Sequence, residues 1–183
     1  MKINKGQLIT ELLRLTEQAI ISVKKFKTLN ISQLNLKNTP DQWSILECIE
    51  HLNLYGDFYL PEIQKQLMDT KNNSNSPVFK PGVIGNYFAG LMKTENGNIK
   101  KMKSPKDKNP VNSTLAITTL DRFLKQEQLL QSLLKEASTA DLTKIKTAIS
   151  LTAFIKLRLG DTLRFYVYHI ERHIIQAEKA AGS

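Results

Sequence analysis

The sequence predicts an all-α fold, a four-helix bundle forming one domain over residues 1–183, with a long crossover loop between its second and third helices. Three observations predict it. Four segments repeat apolar residues every three or four positions, the spacing that lines one face of a helix. No segment alternates apolar and polar residues strongly enough to predict a sheet. A stretch rich in Asn, Lys, Gly and Pro, from Met68 to Asn112, separates the second periodic segment from the third. A connection of that length suits a bundle that returns along its own side.

The first helix is expected near residues 5 to 27, where Leu8, Leu12, Leu15, Ala19 and Val23 form an apolar stripe. A loop, KTLNISQLNLKNTPDQW, follows it. The second helix opens at SILE, where Ser44 as N-cap and Glu47 three positions later make a capping box. It continues through Cys48, His51, Leu52, Tyr55, Phe58 and Tyr59, and Pro61 is expected to bend it by removing a ladder donor. The third helix is placed at Ser113 to Ala137, with Leu120, Phe123, Leu124, Leu130 and Leu134 facing inward. The fourth runs from Asp161 to Ala180, after a short helical turn at Thr152 to Leu159 with Gly160 at the join. Within the crossover, VIGNYFAGLM (Val83 to Met92) is the one apolar island. It is expected to pack on the bundle with Tyr87, Phe88 and Leu91 buried and the surrounding lysines exposed.

Composition narrows the function classes. Forty-one per cent apolar and 23% charged residues in 183 are ordinary for a soluble globular protein. The opening residues carry Glu11 and Glu17 and lack the apolar core of a signal peptide. No stretch approaches the ~18 apolar residues of a spanning helix, so no membrane role is expected. The lone Cys48 cannot form an internal disulfide, which fits a reducing, cytoplasmic location. The net charge of +9 raises the question of nucleic acid. Yet the excess is mostly lysine spread along the chain, with arginine only at 14, 122, 158, 164 and 172 and no stacking-aromatic motif or zinc-knuckle spacing. A solvated surface is the expected meaning, and nucleic acid is not an expected partner.

The three histidines carry the chemistry. His169 and His173 lie four residues apart in YHIERHIIQ, so both imidazoles leave one side of a helix. On the helical wheel they share a face with Thr162, Phe165, Tyr166 and Gln176. His51 shares its face with Ser44, Glu47, Cys48, Tyr55 and Phe58. All three positions therefore point inward, where an unpaired imidazole is costly. A lone histidine is usually a satisfied core or surface residue, and an HxxxH pair alone is a weak motif. Two facing helices that supply such a pair and a single histidine can nevertheless close three sides of a metal site. Imidazole suits zinc, nickel, iron or copper, and the remaining positions stay open to water and substrate.

Two stretches resemble one family. DQWSILECIEHL is similar to the entry of the second helix of the DinB family, the DinB/YfiT-like four-helix bundles. LGDTLRFYVYHIERHIIQAE resembles that family's closing helix, with its HxxRHxxQ pattern. The resemblance covers both anchor helices in their order, while the first and third helices agree only in pattern. It implies a divalent metal ion, zinc, nickel or iron, held by His51, His169 and His173. It also implies an enzyme acting on a small-molecule substrate, either a transferase moving a low-molecular-weight thiol onto an electrophile or a metal-dependent hydrolase. The alternative is a non-catalytic metal-binding or stress-associated interaction protein. Homodimers are common in the family, and a homodimer is expected here.

Several neighbours are candidates for the pocket. Glu47 could accept a proton from a ligand imidazole or act as a base, although the capping box already explains it. Gln176 could orient a ligand or substrate, or simply end the helix on a wet rim. Tyr55 and Tyr166 either line the pocket or belong to the core, the commoner fate of aromatics at helical spacing. Cys48 is expected to act as a small buried hydrophobe rather than a thiolate ligand. Arg172 either meets an anionic substrate or pairs with a surface carboxylate. No Ser-His-Asp or Cys-His triad and no glycine-rich phosphate loop can be assembled.

Overall fold

A computed structural model describes residues 1–39, 41–69, 76–94, 103–111, 113–150 and 152–182. Within them the fold is mainly helical. β1 (Ile3–Asn4) leads into α1 (Lys5–Phe26), whose N-cap Asn4 accepts a hydrogen bond from the Gln7 N–H. A short α2 (Ile31–Leu34) precedes α3 (Ile45–Asp69). Next come β2 (Val78–Phe79), α4 (Val83–Met92), a single 3-10 turn at Lys106–Lys108 and α5 (Thr118–Ala137). β3 (Lys146–Ile149), β4 (Thr152–Arg158) and α6 (Leu159–Ala180) complete the chain.

The four long helices pack in a cycle. α3 lies against α5 and α6, and α1 lies against the same two. Each contributes its apolar stripe to one core, in which Leu12, Leu52, Leu130 and Leu163 are almost wholly buried. The stripe read from the sequence for α1 is the buried one, and the capping box at the start of α3 is formed. The Ser44 N–H donates to Glu47 Oε2 at 2.9 Å and the Glu47 N–H to Ser44 Oγ at 3.2 Å. α3 continues two turns past Pro61 to Asp69, with the ring on an exposed position where the missing donor faces water.

Several expectations need correction. The residues expected to form a helical turn before α6 are instead β4, paired antiparallel with β3 around an irregularity at Ala148/Ile149. The run FIKLR alternates, with Leu157 buried and Phe154 and Lys156 exposed, and β-branched residues favour the pleated form. Phe154 in fact stands 97% exposed. The third long helix begins at Thr118 rather than Ser113.

The segment between α3 and α5 carries structure of its own. Between α3 and α5 it contains β2, α4 and the 3-10 turn, while its residues 70–75, 95–102 and 112 lie outside the described residues. α4 packs on α6 as expected, but a different face is buried. Gly85, Ala89 and Met92 face inward, Tyr87 is 63% exposed, and Phe88 and Leu91 are half-buried. Two glycines let this segment approach the start of α6 closely, Gly85 from α4 and Gly160 beneath β2. A Cβ on Gly85 would come within 2.5 Å of the Asp161 side chain, and one on Gly160 within 2.6 Å of the Phe79 ring. Asp161 also accepts the Gly82 N–H at 2.7 Å, tying the start of α4 to the start of α6.

Candidate metal centre

α3 brings His51 and α6 brings His169 and His173 to one point. Their exposures are 2%, 4% and 8%, and one ring nitrogen from each lies within 4.8 Å of the others. The ring centroids form a nearly equilateral triangle, 5.0 Å from His51 to His169, 4.5 Å from His51 to His173 and 4.6 Å from His169 to His173. His51 Nε2 and His169 Nε2 approach to 3.1 Å. Two ligands with ~2.0–2.1 Å bonds would sit ~2.9 Å apart at a right angle and ~3.4 Å apart at a tetrahedral angle, so this pair has ligand spacing. The 4.8 Å bound on the full set is looser than the ~3–3.5 Å that three ligands of one ion require.

Hydrogen bonds fix which nitrogens face the centre. His51 Nδ1–H donates to the Lys108 carbonyl at 2.6 Å, leaving Nε2 as the bare nitrogen. His173 Nδ1–H donates to Gln176 Oε1 at 3.0 Å and leaves its own Nε2 bare. His169 Nδ1 is buried with no hydrogen-bond partner among the described residues. Burial lowers the pKa of all three. His51 falls to about 4, further depressed by the Lys108 charge but partly offset by its carbonyl bond. His169 falls well below the ordinary value, pushed further by His173, His51 and Arg172, and so does His173, pushed further by His51 and Arg172 and partly offset by its Gln176 bond. Neutral His169 can donate Nε2–H to the bare Nε2 of His51 across the 3.1 Å contact, and a cation between the rings would take the place of that proton. The residues present therefore fit a divalent ion.

The centre forms the floor of an open cleft of about 1040 Å³ whose wall includes Trp43, Tyr55, Lys103, Arg172 and Gln176. Trp43 lies 4.8 Å from the His51 ring and stacks at 5.7 Å on His173. Tyr55 lies 4.5 Å from His169, and burial pushes its hydroxyl up to about 12, so it stays a proton donor at neutral pH.

The other candidates distribute unevenly. Gln176 and Tyr55 border the cleft, whereas Glu47 and Tyr166 are not among its described lining residues. Glu47 is engaged by its cap and by Lys37 Nζ at 2.7 Å. Tyr166 is 1% exposed and packs 5.5 Å from Tyr59. Burial, then the Glu47 charge, pushes the fully buried Cys48 thiol up, so it stays protonated. The sequence reading passed over Trp43 and the Lys108 carbonyl. Trp43 had a signal, because the residue before an N-cap often folds back over the helix. A main-chain carbonyl 57 residues away has none.

Neither a curated protein nor a solved structure matches the chain significantly. The family model of the DinB superfamily matches residues 13–177, a span that includes all three histidines and the four long helices but for the ends of α1 and α6. The chain belongs to the DinB superfamily.

Proposed function

We propose that this protein is a divalent-metal-dependent enzyme whose ion is held by His51, His169 and His173 on the floor of the cleft. Its architecture on this reading is a four-helix bundle of α1, α3, α5 and α6, with the segment between α3 and α5 as the crossover. The observation that carries the proposal is the convergence of three buried, neutral imidazoles beneath a cleft large enough for a small molecule. An ion held by these three histidines would supply Lewis acidity, favouring a thiolate or hydroxide nucleophile at neutral pH.

The chain's own residues do the rest. The Lys108 carbonyl and Gln176 hold two imidazoles in the tautomer that turns Nε2 to the centre. Trp43 and Tyr55 cover the rings and keep water from surrounding them. The reaction is transfer of a low-molecular-weight thiol onto an electrophile, or hydrolysis. A small molecule is the partner rather than nucleic acid, and the protein acts in the cytoplasm as a homodimer. No helix among the described residues is long and apolar enough to cross a membrane, in keeping with that location.

A second reading, a non-catalytic metal-binding module, predicts a closed coordination sphere, and the open cleft favours the enzyme. Elemental analysis of protein purified without a nickel resin should find about one zinc, nickel or iron per chain. Turnover with a thiol donor or a hydrolysable substrate should then depend on that metal. Stoichiometric metal without turnover would favour the module, and protein that binds no metal would end both readings.

A further inference from the structure

We propose that the end of the molecule built by β3, β4 and the start of α4 docks on an anionic lipid surface. Phe154 and the open side of α4 enter the headgroup layer, and lysines meet the phosphates. α4 is a run of ten residues without a single charge, VIGNYFAGLM, and a helix apolar on every side is normally buried on every side. Here only Gly85, Ala89 and Met92 are buried, on a helix whose main neighbour is α6. Val83, Ile84 and Tyr87 share another side at spacings of three and four, and all are exposed, Val83 by 91%.

The hairpin beside α4 presents a second exposed set. Residues directly opposite in an antiparallel pair leave the same side of the sheet. Thr147 and Leu157 are opposite and buried, so Lys146 with Arg158, and Ala148 with Lys156, make the outer side. Phe154, two residues from Lys156 along β4, is almost wholly exposed. The two sets adjoin. Arg158 Nη1 donates to the Lys80 carbonyl and, at 3.5 Å, to that of Pro81, just before α4 begins. The Lys80 N–H donates in turn to Thr143 Oγ1 at 3.1 Å, and α4 touches β4 directly.

Charge points to the occupant. From Asp141 to Asp161 the sequence carries Lys144, Lys146, Lys156 and Arg158 against those two acids, and Lys80 adds to the basic side. The acids that border the face have partners of their own. Asp141 meets Lys144 at 3.8 Å, Asp161 is buried and accepts the Gly82 N–H, and Glu62 accepts the Ala148 N–H. A second copy of this face would bring like charge against like. A nucleic acid would leave Val83 and Ile84 in water, because aliphatic side chains do not stack on bases. An anionic bilayer meets both halves at once, with phosphates for the lysines and acyl chains just beneath for the apolar residues. A contact of this kind lies on the membrane and needs no spanning helix. Leu159, where β4 meets α6, lies ten residues before His169, ~15 Å along the helix, so the face is separate from the metal centre.

The full chain would be sedimented with vesicles of phosphatidylcholine alone and with vesicles in which about a third is phosphatidylserine. Binding to the anionic vesicles should be at least about tenfold tighter and should weaken as salt rises. Phe154→Ser should weaken it at least about threefold, and Lys146→Glu with Lys156→Glu at least about tenfold. Lys24→Glu with Lys25→Glu makes the same change in net charge at the exposed end of α1. A 2.6 Å bond from Ser22 to Glu178 holds that end against the far end of α6, so this pair should cost less than about threefold.

Failure to bind anionic vesicles would overturn the proposal. Equal losses in the two lysine pairs would also overturn it, since net charge alone would then attract the protein. Retention of a duplex oligonucleotide without vesicle binding would overturn it in favour of nucleic acid. A dimer that Phe154→Ser dissolves, again without vesicle binding, would overturn it in favour of a second copy. Helical circular dichroism checks each variant, and should Phe154→Ser not fold, Val83→Ser decides in its place.

Discussion

Of the places where the described residues bury ionisable groups without full partners, the histidine centre and Glu127 make the sharpest contrast, and only the first has the form of a site. Around the centre, His169 is 4% exposed with an orphaned Nδ1. In the core, Glu127 of α5 is 0% exposed, and both its carboxyl oxygens lack hydrogen-bond partners among the described residues. Burial pushes the Glu127 carboxyl well above its ordinary range and the histidines well below theirs, so burial favours the neutral form in both regions. The histidines converge on one another and border a cleft. Glu127 has neither property. Desolvation is common to both, and convergence with access separates them.

The largest effect expected from that contrast is on metal binding. His173→Ala should lower metal affinity ~100-fold or more, beyond the 10–100-fold typical of groups that merely support a ligand. Glu127→Leu should leave affinity within about twofold. Chelator competition on both variants measures this, and a similar loss in each would erase the distinction.

The next effect is on stability, and its pH dependence has opposite signs in the two regions. In metal-free protein the depressed histidines stay neutral while the unfolded chain takes up protons. Stability should therefore fall as pH drops from about 6.5 towards the folded values, about 4 for His51. Glu127 does the reverse. Its folded pKa lies above the ordinary 4.5, so its contribution is whole below that value and is lost as pH rises towards the folded pKa. Glu127→Leu should stabilise the protein by about 1–3 kcal/mol at pH 7, the cost of an unsatisfied buried polar group. It should also flatten the fall in stability that sets in above about pH 4.5, while His173→Ala should reduce the opposite slope below about pH 6.5. Urea titrations across pH check both, and an unchanged pH dependence in Glu127→Leu would show that the carboxyl has partners.

The smallest effect separates the end of a helix from the site one turn away. Glu47→Gln keeps an acceptor for the Ser44 N–H and loses the Lys37 ion pair. It should cost about 0.5–1 kcal/mol in thermal unfolding and change metal affinity less than about twofold. A tenfold fall in affinity would instead make Glu47 part of the centre.

How much was legible in the sequence follows from how local each signal is. The stripe of α1, the Ser44–Glu47 box and the i, i+4 histidine pair each span a few residues of one helix, and all appear where the periodicity places them. That His51 would meet the pair needed two helices side by side, and only the shared inward face hinted at it. β4 was misread because FIKLR is short and its partner strand is just as short, so tertiary pairing settled what propensity left open. Tyr87 was misread because an apolar island was assumed to bury its aromatics, whereas α4 lays its small residues, Gly85 and Ala89, against α6.

The hydrogen bond from His51 to the Lys108 carbonyl carries a further consequence. Because the acceptor is main chain, substitution of the side chain at position 108 leaves that hydrogen bond in place. A one-residue deletion within residues 103–107 is a different kind of change, since it would pull that oxygen away and release the imidazole to flip. For this connection, length rather than composition is the heritable specification.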